Sequence, residues 1–168
     1  MGFSFLEGET GYLQAMLIIK KVQYESLRRH GEETYPHECC GALLGLFKNG
    51  HRTVEDVVRC GNTRDDRPQD RYNIDPKELV AIQRRASQQG LDIVGFYHSH
   101  PDHPAQWSQT DLAEAHWLDC SYVITAVEKG SANRTNSFVL LGAGEEDKHF
   151  EPEEINLAAV VEDQSICH

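Results

Sequence analysis

No apolar run in this chain approaches the roughly 20 residues that a membrane-spanning helix needs. Basic residues are scarce as well, with 16 Lys and Arg against 27 Asp and Glu and a formal charge of −11. The first shortage argues against a helical span in these residues. The second argues against nucleic acid as a partner, because a phosphate backbone is held by clustered Lys and Arg. The doublets Arg28-Arg29 and Arg84-Arg85 stand apart and read as solvated helix faces. The opening residues, Met1 to Glu9, carry acids where a secretory signal would carry bases, so the expected compartment is the cytoplasm. Cysteine is sparse and odd in number, at five. Cys39 and Cys40 are adjacent, where a disulfide would be strained, and reduced thiols packed as small core residues are expected. Repeats and heptads are missing too. One core is therefore expected, at a length of 168 residues that buries about two-thirds of the unfolded surface.

What the chain does have is clear punctuation. Residues 17–19 read as a short strand, and Val22, Tyr24, Leu27 and His30 give residues 21–33 a helical period that ends near Gly31 and before Pro36. Residues 39–47 and 53–60 read as strands joined by a hairpin at Asn49-Gly50. A polar loop follows over 61–75, in which Arg71-Tyr72-Asn73 either shapes a substrate groove or is simply solvated. Residues 76–89 read as a helix with Asp75 as cap and Leu79, Ile82 and Ala86 inward. Strands are expected at 91–97, 122–127 and 137–141, a helix at 108–118, and a last edge strand at 150–155. The expectation is a single α/β domain over 17–155, a mixed β-sheet flanked by helices, with an N-terminal extension at 1–16 and a C-terminal tail at 156–168.

The chemistry gathers at one strand end. Leu91 to Tyr97 is apolar and β-branched, and it runs into His98-Ser99-His100-Pro101. Residues two apart on a strand point the same way, so both imidazoles share a face and Ser99 takes the other. Pro101 helps end the strand, at the C-terminal mouth where open sheets place their sites. A short loop then meets Ser108-Gln109-Thr110-Asp111, which opens a helix. Two imidazoles and one carboxylate make three ligands, the count that suits catalytic zinc with a fourth position open to water. Closed structural sites use four ligands and favour cysteine. The same Ser-x-x-Asp is a capping-box variant, so a cap and a site role stand side by side for Ser108 and Asp111. His103 reads as an exposed loop residue. His116, five beyond Asp111, turns away by more than a right angle if the helix continues. Glu38 directly precedes an apolar, small-residue run, Cys39-Cys40-Gly41-Ala42-Leu43-Leu44-Gly45, and by itself reads as a solvated strand end.

Taken together, Glu38 before Gly-x-Leu-Leu-Gly, the strand ending His-Ser-His-Pro and the following Ser-x-x-Asp resemble the JAMM (MPN-plus) zinc metalloproteases. The wording from His98 to Ala105 is most similar to the small prokaryotic members. The resemblance implies an MPN fold, one Zn2+ per chain held by His98, His100 and Asp111, Glu38 as acid/base and Ser108 as an oxyanion donor. It also implies a peptidase or isopeptidase acting at the C-terminal glycine of a ubiquitin-like or sulfur-carrier protein. Two other functions share these residues: a zinc hydrolase of a small amide adduct, and a non-catalytic scaffold of the same fold. The scaffold is disfavoured because Glu38, His98, His100, Ser108 and Asp111 are all present. A zinc nucleoside deaminase is disfavoured by the missing Glu of its His-x-Glu motif and the missing Pro-Cys-x-x-Cys.

Overall fold

The computed structural model describes residues 15–62 and 73–158. Their order is β1 (Met16–Lys20), α1 (Lys21–Thr34), β2 (Cys40–Lys48), β3 (His51–Cys60), α2 (Pro76–Gln88), β4 (Asp92–Pro101), α3 (Gln109–Glu114), β5 (Ser121–Glu128), β6 (Ser131–Leu141) and β7 (His149–Ala158). Of the expected extension over 1–16 and tail over 156–168, residues 1–14 and 159–168 lie outside the described residues, as do Arg71 and Tyr72, while Met16 opens β1 and residues 156–158 complete β7. The hairpin between β2 and β3 turns on Asn49 and Gly50, both at positive φ, 53° and 76°, as its Asn-Gly step requires. Asp75 caps α2 as expected, its carboxylate accepting the Lys77 N–H at 2.7 Å.

Helix α1 does not stop at Gly31 but continues to Thr34. The glycine serves packing instead: a Cβ there would lie 3.0 Å from Val127 and 3.1 Å from Ser99, so its absence lets α1 lie close against β4 and β5. One sheet face, with Leu17, Ile19, Leu43, Val54, Val94, Tyr97 and Val123, packs against Leu27 of α1. The other, with Ala42, Leu44, Phe96, Tyr122, Ile124, Phe138 and Leu140, packs against Ile82 and Ala86 of α2.

The sheet is mixed, but it is not an open sheet flanked by helices. Its strands close into a barrel in the order β1-β3-β2-β4-β5-β6-β7. The expected edge strand at 150–155 is longer and fully paired, to β6 through Ser137↔Glu153 and to β1 from Met16↔Glu154 to Lys20↔Ala158. Pro152 and its neighbouring glutamates read as an edge because such residues usually blunt one. Here Glu153 turns inward. Its carboxylate accepts from Ser137 Oγ at 2.6 Å and faces Arg52 at 3.4 Å, and Arg52 Nε donates to the Asp119 carbonyl at 2.5 Å. Arg52 on β3 thus reaches Glu153 on β7 across the short strand β1 that lies between them.

Tyr97 sets the register of the centre. It pairs with Gly41, where a Cβ would come 2.1 Å from its ring, so only glycine lets the phenol lie across β2. Its hydroxyl is 2.8 Å from His30 Nδ1 on α1. Burial, helped by Arg59, lowers His30 to about 4, while burial raises the Tyr97 hydroxyl, so both are neutral near pH 7. Because the folded-state value lies below the unfolded 6.5, the unfolded chain binds more protons between about 4 and 6.5. Stability is therefore expected to fall as pH drops through that window, with His30 contributing a slope of up to about 1.4 kcal/mol per pH unit. Urea midpoints of wild type and His30→Gln, taken across it, check this: the mutant's slope should be shallower.

Candidate metal centre

Strand β4 runs through the site. His98 pairs with Cys40 on β2 and with Ile124 on β5, and His100 pairs with Ala126, so both imidazoles leave the face that also carries Phe96. They are nearly inaccessible, at 2% and 8% exposure. After Pro101 the chain turns at Asp102, whose φ is +55°. That turn is pinned by the Asp102 carboxylate, which accepts the Tyr35 hydroxyl at 2.6 Å and the Lys129 N–H at 2.8 Å. The turn brings the Pro104 carbonyl back to within 2.8 Å of His100 Nδ1, which donates to it. That bond orients the ring and turns Nε2 toward the site.

Helix α3 delivers the carboxylate. Ser108 caps it, its Oγ accepting the Asp111 N–H at 3.1 Å while Asp111 Oδ2 accepts the Ser108 N–H at 2.7 Å, so the capping box is formed. The same carboxylate lies 3.2 Å from His98 Nε2 through Oδ1 and 3.2 Å from His100 Nε2 through Oδ2. The two Nε2 atoms are 3.1 Å apart. Ligand atoms about 2.0–2.1 Å from a tetrahedral zinc are separated by about 3.3 Å, so these three fit one such ion. Charge agrees with geometry. Burial keeps His98 below its ordinary value and so neutral, and although burial pushes Asp111 up, hydrogen bonding to His100 and His98 holds it well below the usual carboxylate range. Among the described residues, these three form the cluster able to hold a metal, with ligand atoms within 4.8 Å of one another.

The helix expected to reach Leu118 ends at Glu114. Lys148 Nζ donates to the Ala113 and Ala115 carbonyls, closing the helix, and Trp117 turns onto Phe96 at a ring separation of 5.4 Å. His116 is exposed and pairs with Glu145 at 2.8 Å, away from the cluster, and His103 is exposed. Glu38 is not a solvated strand end. It is 5% exposed. The Ser99 N–H still bonds the Cys39 carbonyl at 3.2 Å, and carrying the Cys40↔His98 register on by two residues sets Glu38 level with His100, on the same face. Cys39 and Cys40 are core groups as expected, and Cys60 and Cys120 are buried as well: burial lifts Cys39 to about 11 and Cys60 and Cys120 to about 12, and raises Cys40 too, so none of these four is a thiolate. The Pro104 carbonyl went unread in the sequence, where its signal was the closely spaced pair Pro101 and Pro104.

Residues 20–141 match the family described as prokaryotic homologs of the JAB domain. The chain belongs to the prokaryotic JAB-domain family. It is 38% identical over 89 residues to a desampylase of Haloferax volcanii, a match covering 53% of this chain and 62% of that protein. It is 32% identical over 107 residues to a probable TtuB-protein conjugate cleaving protease of Thermus thermophilus, covering 64% of this chain and 68% of that one. A solution structure of a Desulfitobacterium hafniense protein superposes with a TM-score of 0.74 at 28% identity, covering 91% of this chain and all of the other. The closed mixed sheet and the helices among the described residues therefore form a JAB/MPN-like domain.

The cluster makes a direct test possible. The purified chain is expected to hold about one zinc, and His98→Ala or Asp111→Ala to lose it, since two ligands do not compete with water and buffer. Elemental analysis of folded protein reads this, and equal zinc in all three proteins would remove these residues from the metal.

Proposed function

We propose that this JAB-domain chain is a zinc-dependent metallopeptidase of the isopeptidase kind, hydrolysing the bond that follows the C-terminal glycine of a ubiquitin-like or sulfur-carrier protein. The observation that carries the reading is the convergence of His98, His100 and Asp111 on one point, with the buried Glu38 level with His100 on the same face. The relatives named as a desampylase and as a probable TtuB-protein conjugate cleaving protease support the substrate class. A terminal glycine suits a narrow site because its backbone can approach closely.

His98, His100 and Asp111 would hold the zinc, which when bound would supply a Lewis acid able to polarise the scissile carbonyl and lower the pKa of water. The chain supplies the rest. Glu38 takes the proton of the attacking water and passes it to the leaving amine, a role that needs a carboxylate within hydrogen-bond reach of both. Asp111, held by the Ser108 N–H, keeps its carboxylate aimed between the two imidazoles. Ser108 has two roles open to it at once. Its Oγ accepts the Asp111 N–H through a lone pair, which leaves its own O–H to donate to the developing oxyanion.

Two outcomes follow. Glu38→Gln should keep the fold and the zinc yet lose about a hundredfold to ten-thousandfold in turnover, because the amide accepts no proton. Single-turnover cleavage of the zinc-loaded mutant measures it, and retained turnover removes Glu38 from proton transfer. Ser108→Ala should cost about 0.5–2 kcal/mol of stability as a lost cap. If the hydroxyl also serves the oxyanion, kcat should fall by about a hundredfold or more with little change in KM. Measured where circular dichroism shows the mutant folded and elemental analysis shows it zinc-loaded, a near-wild-type kcat leaves Ser108 as a cap alone.

A further inference from the structure

Glu38 lies outside the regular strand: β2 begins two residues later, at Cys40. The peptide unit that joins Glu38 to Cys39 is held by two side chains instead. Its N–H, that of Cys39, donates to Ser99 Oγ at 2.8 Å. Its carbonyl, that of Glu38, accepts from Asn62 Nδ2 at 3.3 Å. Cys40 pairs with Cys60 on one side and with His98 on the other. Continuing both registers puts Asn62 level with Glu38 and Ser99 level with Cys39. Where the ladder between β2 and β3 stops, a side-chain amide takes the place of the next rung. That amide is itself anchored, for Asn62 Oδ1 accepts the Asn73 N–H at 3.2 Å, and the neighbouring Gly61 N–H donates to the Glu78 carboxylate at 3.3 Å.

We propose that Asn62 is a positioning residue for Glu38: with Ser99 it locks the Glu38–Cys39 peptide plane and so fixes where the carboxylate stands relative to His98 and His100. The proposal rests on Glu38 being the acid/base. A peptide plane bonded at both its N–H and its carbonyl cannot rotate without breaking one of those bonds. Released from one, the plane is free to swing, and with it the Cα–Cβ direction of Glu38. A displacement of about 1 Å in a reacting group costs about a hundredfold in rate. Asparagine suits the position because one short planar group carries both the donor for Glu38 and the acceptor for Asn73. Aspartate keeps the acceptor and loses the donor.

The test uses the full zinc-loaded chain and, as probe, a ubiquitin-fold domain ending Gly-Gly and joined to the lysine of a fluorescent peptide. Asn62→Ala and Asn62→Asp should keep their zinc and their KM and lose roughly tenfold to hundredfold in the pH-independent plateau of kcat. In both, the Cys39 amide should exchange with deuterium about tenfold faster or more, read by NMR. Added to Glu38→Gln, Asn62→Ala should lower the residual rate no further, because both act through one carboxylate. If Asn62 merely ties residue 73 in place, Asn62→Asp will match wild type in kcat and in Cys39 protection, and the proposal is overturned. If Asn62→Ala does not fold, Asn62→Asp and Ser99→Ala decide by the same readings. Should Glu38→Gln keep full turnover, or wild type leave the probe uncut, the functional reading fails separately. Cys39 exchange then decides the clamp alone, unchanged protection overturning it.

Discussion

The pairing of Cys40 with His98 is the contact on which the site depends. It fixes the face from which both imidazoles project and, two residues along, the level and face of Glu38. A strand alternates sides at every residue, so a slip of one position between β2 and β4 would send Glu38 to the face of Tyr97 and away from the histidines. Packing on both sides forbids that slip. Leu43 and Leu44 are fully buried against opposite clusters, and neither tolerates water. Gly41 must lie under Tyr97, and Gly45 sits at the bulge, where a Cβ would be 1.8 Å from the Thr53 carbonyl. The two glycines of the Gly-x-Leu-Leu-Gly run act as register marks.

A second constraint explains how Asp111 comes to a site built on strands. β4 and β5 are parallel neighbours, and a parallel pair needs a crossover of a dozen residues or more. That crossover leaves β4 immediately after the histidines, so it passes over the mouth of the strand before it returns to Ser121. Three groups that serve the imidazoles lie on it: the Pro104 carbonyl that orients His100, the Ser108 cap and the Asp111 carboxylate. Ala126, opposite His100 on β5, keeps the neighbouring position small. Arg52 on β3, facing Glu153 on β7, donates to the Asp119 carbonyl and so ties down the end of this crossover just before β5.

The site was more legible in the sequence than the architecture around it. His98, His100 and Asp111 could be grouped because strand alternation and a capping signal are local rules, and the structure brings those residues together. Closure could not be read, because it depends on β7 meeting β1 from the far end of the chain, and Pro152 with its glutamates carries the pattern of an exposed edge. The inward turn of Glu153 is stabilised by Arg52, about a hundred residues earlier, which no local pattern reports. The end of α3 was misplaced for a related reason, since Lys148 supplies the cap from a distant loop. Glu38 lies between these cases. Composition alone makes a solvated strand end of it, and its burial follows from neighbours on two other strands.

Helix α3 shows why these partners come as a set. With six residues it is far below the roughly 12–15 at which an isolated helix becomes even marginal in water. It stands because both its ends are occupied, by the Ser108–Asp111 box at one and by Lys148 at the other. The Asp111 carboxylate that completes the box is the same one that faces both imidazoles, so a metal bound there would hold the helix too. Whatever binds the folded site and not the unfolded chain stabilises the fold by mass action. The coupling would run both ways: a loosened cap would free the Asp111 carboxylate from its place between the imidazoles, and ligation of that carboxylate would tighten the cap. Ser108 is thus held in place by the very residue beside which it would act.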